Sequence, residues 1–145
     1  MIEADIYGNV NSTHVGGTRI MNGIGGSGDF TRNAFASTFI STSVAKDGAI
    51  SAIVPFASHV DHTERDAMVI VTEYGYADLR GLAPRDRVQK VIAVAHPDYR
   101  PLLEEYYERA LRAEGSHQHT PHDLRTAFDF HVNLATTGSM RMTDA

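Results

Sequence analysis

The run Asn22-Gly23-Ile24-Gly25-Gly26-Ser27-Gly28-Asp29-Phe30 places four glycines within six residues, directly ahead of an amphipathic segment. Glycine allows positive φ and lets a ligand approach the main chain closely. Where such a cluster opens a helix, unpaired N–H groups face outward at the positive end of the helix dipole. That chemistry suits an anion or a carbonyl oxygen gaining negative charge. The competing role is a glycine-rich surface turn that carries no ligand.

Other residue types offer weaker chemistry. His59, Asp61 and His62 have chelating spacings, with Glu64 and Asp66 close by. Structural zinc takes four protein ligands, so a hydrogen-bonded loop at a sheet edge is the expected role and no metal is expected. His117, His119 and His122 fall in a polar stretch broken by Pro121 and read as a solvated linker. Asp29 follows the glycine run, where a helix N-terminus favours its charged form. It therefore suits capping better than base catalysis, and Ser27 is the alternative cap. Arg80 and Arg85 could meet phosphate but are expected to face solvent or carboxylates. Ser12 has no base placed near it by sequence.

The elements that must position these residues follow from period and turn signals. Ile2–Tyr7 alternates as a short strand, and Thr18–Met21 could form another. Asp29–Ala36 reads as a helix. Thr38–Val44 and Ala49–Pro55 read as strands joined through Lys46-Asp47-Gly48, with Asp-Gly as the turn signal. Ala67–Thr72 is apolar enough to be central in a sheet. Helices are expected over Asp86–Ala95, with Pro84 in the first turn, over Asp98–Ala113 and over Asp123–Leu134. The tail after Gly138 reads as loose. Strands come first and helices later, with no internal repeat. The expected fold class is α/β or α+β, a layered sheet with covering helices.

The chain has 145 residues, a length that fits a single domain, and 42% hydrophobic and 21% charged residues, a globular balance. A net charge of −5 argues against a broad nucleic-acid-binding surface. Eleven of the 13 basic residues are Arg, leaving Lys46 and Lys90 as the only lysines. There is no Cys, hence no disulfide frame or thiolate metal site. No apolar run is long enough to span a membrane and no signal peptide is visible, so a cytoplasmic location without membrane contact is expected. The chain opens directly in a strand, a hint that it is part of something longer.

Five blocks occurring in order carry a resemblance. They are Val10-Asn11-Ser12-Thr13-His14, Gly23 to Phe30, His59-Val60-Asp61-His62-Thr63-Glu64, Thr72-Glu73-Tyr74-Gly75-Tyr76-Ala77-Asp78-Leu79-Arg80-Gly81-Leu82 and Ala95-His96-Pro97-Asp98-Tyr99-Arg100. Over roughly residues 3 to 105 the chain resembles the C-terminal domain of the acetyl-CoA hydrolase/transferase family, whose best-known activity is succinyl-CoA:acetate CoA transfer. The resemblance implies a CoA-transferase (NagB/RpiA-like) C-terminal domain spanning residues 1–145. It also implies a mechanism. A glutamate attacks an acyl-CoA thioester to give a mixed anhydride, and CoA thiolate then converts this to a glutamyl-CoA thioester. A small carboxylate, or water in the hydrolase variant, completes the cycle.

By the same resemblance, the N–H of Gly26 contributes to the oxyanion pocket, Asn22 lies beside the pantetheine end of coenzyme A, and Lys46 contacts CoA. The family's nucleophilic glutamate would precede Ile2 and is absent here. The chain thus resembles half of a two-domain enzyme and is expected to be inactive alone. Its implied partners are acyl-CoA, small carboxylates, the N-terminal half of the same enzyme, and a second copy in a homodimer. Glu73 is a tempting nucleophile, since a related branch uses a Glu-Asn-Gly setting. Its position after the glycine run favours a buried or semi-buried structural carboxylate pairing with Arg80. Three alternatives stay open: a non-catalytic CoA- or nucleotide-binding module, a purely structural domain, and a 4-hydroxybutyrate CoA-transferase-like domain.

Overall fold

The computed structural model describes residues 1–113 and 118–142. The opening alternation forms β1 (Glu3–Asp5), the middle strand of a three-stranded sheet. β1 runs antiparallel to β2 (Val10–Asn11). The hairpin β3 (His14–Val15) and β4 (Arg19–Ile20) then leads into the glycine run and α1 (Ser27–Asn33). The chain continues through β5 (Thr38–Ile40), the hairpin β6 (Val44–Ala45) and β7 (Ile50–Ser51), and β8 (Ile53–Val54), which pairs parallel to β1. β9 (Val69–Thr72) is central in the second three-stranded sheet, parallel to β5 and antiparallel to β10 (Gly75–Asp78). Helices α2 (Pro84–Ala93), α3 (Arg100–Arg112) and α4 (Asp129–Thr137) complete the layer.

The core lies between these layers. Ile6, Val10, Ile53 and Ile70 meet Val88, Val91, Ile92, Leu103, Tyr106 and Phe130. Val88, Val91 and Ile92 are buried on α2, and Leu103, Tyr106 and Ala110 on α3, while Leu102 and Tyr107 pack partly buried against the core. Among the described residues no helix is long and apolar enough to cross a membrane.

The structure redraws several boundaries. The single sheet becomes two small sheets and two ribbons. Serine side chains compete with the ladder: Ser51 Oγ bonds Ile53 O at 2.7 Å and accepts from Ile53 N, splitting the expected strand Ala49–Pro55 into β7 and β8. Asp123 does not open the last helix. Its carboxylate accepts from Arg125 N and Thr126 Oγ1 in a turn, and α4 begins six residues later. The tail is not loose at its start. Met140 is 1% exposed, and its N–H donates to Ala49 O at 2.7 Å. β10 adds to the expected elements; it forms because Glu73 and Tyr74 turn β9 back on itself.

Candidate functional site

The glycine run turns through Gly25 at φ +56° and reaches α1 at Gly26, whose φ of −85° is ordinary. Ser27 N donates to Ile24 O at 3.3 Å, and Phe30 N to Gly26 O at 3.1 Å. Gly26 is the N-cap, and no side chain caps the helix. This corrects the expected cap: Asp29 lies in the first turn, and Ser27 Oγ is engaged elsewhere, 2.7 Å from His62 Nε2.

A cleft of about 520 Å³ opens beside this segment. Its lining includes Ser12, Asn22, Gly23, Ile24, Ser27 and Phe30, together with residues 36–40 leading through β5. Asn22 Nδ2 donates to Ser12 O at 3.0 Å and to Gly23 O at 3.1 Å, joining two stretches of the wall. Ile20, Met21, Ile24 and Phe30 leave large apolar surface exposed on the same segment, Phe30 being 76% exposed.

The wall is braced from behind. Asp61 Oδ2 accepts from Ser12 N and Thr13 Oγ1, both at 2.8 Å, and Asp61 Oδ1 lies 3.2 Å from His59 Nε2. Burial opposes the charge on Asp61, but these partners outweigh it and hold its carboxyl below the usual range. His59 stacks on His14 at 3.9 Å. His62 is 1% exposed and its backbone pairs with Val10. Burial lowers its pKa, with Asp61 and Asp66 opposing, which favours the neutral imidazole. The histidines and Asp61 thus form the hydrogen-bonded loop expected from sequence, and among the described residues no group of three or more His, Asp or Glu is placed to hold a metal ion.

Of the three residues named by the resemblance, Asn22 lines the cleft, Gly26 adjoins it between the lining residues Ile24 and Ser27 without lining it, and Lys46 does not line it. Lys46 sits exposed at the β6–β7 turn with φ +48°. Glu73 departs from the expected arrangement: it is exposed, and its partner is Ser43, through Ser43 N at 2.8 Å and Oγ at 2.6 Å. The bond from Ser43 Oγ is the main cause of its lowered pKa. Arg80 pairs with Asp78 instead, Nε at 3.0 Å and Nη2 at 2.8 Å, because both residues share the segment leaving β10. Arg85 is exposed in the first turn of α2.

The second histidine patch also differs. His119 is exposed, but His122 packs against Phe56 at 4.3 Å and Tyr7 at 5.0 Å, with Nδ1 2.7 Å from Tyr106 OH. His117 lies outside the described residues. Sequence reasoning missed the pairing of Ser27 with His62. Both fall in the blocks quoted above, but no periodicity links residues 35 positions apart.

A family model described as the acetyl-CoA hydrolase/transferase C-terminal domain matches residues 1–107. The chain is 57% identical over 141 residues to a succinyl-CoA:acetate CoA-transferase of Clostridium kluyveri, covering 97% of this chain and 26% of that protein. It is 51% identical over 149 aligned positions to an acetyl-CoA hydrolase of Candida glabrata, covering 97% and 28%. Among solved structures, RipA from Yersinia pestis superposes with a TM-score of 0.67 at 33% identity, covering 74% of this chain and 26% of that one. The chain therefore spans about a quarter of the length of the relatives it matches.

Proposed function

The chain belongs to the acetyl-CoA hydrolase/transferase family as its C-terminal domain, and from that premise we propose that it forms one wall of a coenzyme A site in an enzyme moving CoA between an acyl-CoA and a small carboxylate of the acetate/succinate type. The observation that carries the reading is the cleft beside the glycine run, where Asn22, Gly23 and Ser27 present polar groups next to exposed apolar side chains. In this reading the Gly26 N–H stabilises the oxyanion of each acyl-transfer step, Asn22 faces the pantetheine arm, and Lys46 contacts CoA. The nucleophilic glutamate, which becomes glutamyl-CoA, lies in the N-terminal half of the same enzyme. The exposed Ile20, Met21, Ile24 and Phe30 support a site shared with that half, since such a patch marks a surface that is covered in use. Water replaces the acceptor acid in the hydrolase version. The reading includes a homodimer, which rests on the family alone and is checked by light scattering.

Transfer from acetyl-CoA to succinate, assayed with the chain alone and with the chain joined to the rest of a family member's length, tests the proposal. Turnover is expected only in the joined protein. Turnover by the chain alone would contradict the placement of the nucleophile. CoA binding without turnover in the joined protein would favour a non-catalytic module.

A further inference from the structure

Ser27 and His62 form a hydroxyl–imidazole pair that the oxyanion role of the glycine run does not use. Ser27 lines the cleft at the first residue of α1, with Oγ 2.7 Å from His62 Nε2. His62 is held on both sides. Its N–H donates to Val10 O at 3.0 Å and its carbonyl accepts from Val10 N at 2.8 Å, while its ring packs 5.0 Å from that of Phe39. The imidazole is thus a fixed, buried partner, and Ser27 is the member of the pair that lines the cleft.

We propose that the Ser27 hydroxyl is a further hydrogen-bond donor to the reacting acyl group and that His62 is the positioning residue that aims it. The inference rests on the function proposed above. With hydrogen on Nε2, His62 donates to Ser27 Oγ, and the hydroxyl hydrogen is then free to point into the cleft. A donor placed this way acts on the oxygen that gains charge as the thioester or anhydride carbonyl becomes tetrahedral. It strengthens as that charge grows, so it raises kcat more than it tightens substrate binding. No bond to Ser27 forms or breaks, and no proton leaves it.

The test is steady-state CoA transfer from acetyl-CoA to succinate by the joined protein and its Ser27→Ala, His62→Gln and doubly substituted variants, each with a thermal melt. Ser27→Ala is expected to lower kcat on the order of 10²-fold with the acetyl-CoA KM within about threefold. His62→Gln, whose side-chain amide can still donate to Ser27, is expected to keep most of the parent's kcat. The double variant is expected to match Ser27→Ala, since His62 acts only through the Ser27 hydroxyl; a double variant slower than Ser27→Ala would show that His62 acts on its own and overturn its positioning role. An active parent whose Ser27→Ala variant keeps its kcat, or loses only KM, overturns this inference and leaves the proposed function standing. A folded parent without turnover overturns both. A lower kcat that tracks a lost melting transition in Ser27→Ala marks a structural role and overturns the donor assignment.

Discussion

His131 Nε2 lies 2.9 Å from Glu3 Oε2, joining α4 to β1 across 128 residues of sequence with both side chains buried. Glu3 Oε1 accepts in addition from Ser58 N, Ser58 Oγ and Asn11 Nδ2. Burial works against this charge, yet the His131 and Ser58 bonds together outweigh it and hold the Glu3 carboxyl below the usual range. Asn11 extends the network toward the cleft, its Oδ1 accepting from Thr13 N and His14 N. Residues beyond the matched span 1–107 are therefore tied to the strand beneath the cleft wall.

Removing one partner of a buried pair leaves a carboxylate without its full compensation. His131→Leu is expected to destabilise the fold by about 3 kcal/mol, near the low end for such pairs because Glu3 keeps its other donors. Urea unfolding measures it. A loss below about 1 kcal/mol would show that the pair is not holding α4.

Gly48 holds a backbone conformation that residues with a side chain rarely adopt. Its φ is +84°, a Cβ there would lie 2.5 Å from Arg141 Nη2, and its carbonyl accepts from Tyr99 OH and Arg141 Nε. Gly48→Ala is expected to lower stability by about 1–2 kcal/mol through backbone strain and the displaced arginine. An unchanged denaturation midpoint would contradict this.

His122 makes stability depend on pH. Burial lowers its pKa to about 4, so the unfolded chain, with an ordinary histidine value near 6.5, takes up the proton first. The stabilisation is present above about pH 6.5 and is lost as pH falls toward 4. Asp5 acts in the opposite sense: burial raises it to about 6, so its contribution is present at low pH and is lost as pH rises through 6. Comparing the parent with His122→Gln cancels the Asp5 term. The stability gap between them should shift in favour of the variant from pH 7.5 to pH 5. A gap that does not move would contradict the assignment.

Lys46 carries a positive φ on an exposed turn outside the cleft lining. In the proposed CoA site it acts as a point charge at the periphery. Lys46→Ala in the joined protein should raise the acyl-CoA KM several-fold at unchanged kcat, an effect that weakens with added salt. An unchanged KM at low ionic strength removes Lys46 from the site.

The sequence made the helices and the central strand legible because their apolar faces repeat at the helical or strand period, as Val88, Val91 and Ile92 do. It made the Asp47-Gly48 turn legible because both residues take positive φ there. The strand breaks at Ser51 and the turn at Asp123 were not legible, since they come from side chains bonding the local backbone rather than from pattern. The partner of Glu73 was misread for a similar reason. Arg80 is seven residues away and of opposite charge, whereas Ser43 is brought to Glu73 by the pairing of β5 with β9. The cleft was legible as a glycine signature, but its bracing by Asp61 and His62 depends on loop contacts that no periodicity encodes.

The central claim concerns the main chain between Ile24 and Ser27. A crystal structure of the joined protein with an acyl-CoA bound measures the distance from the Gly26 nitrogen to the thioester carbonyl oxygen, or to the corresponding oxygen of a trapped tetrahedral analogue. The account predicts about 2.7–3.1 Å, with the pantetheine arm passing Asn22. A thioester bound away from the cleft, with the Gly26 N–H turned from the acyl oxygen, would contradict it.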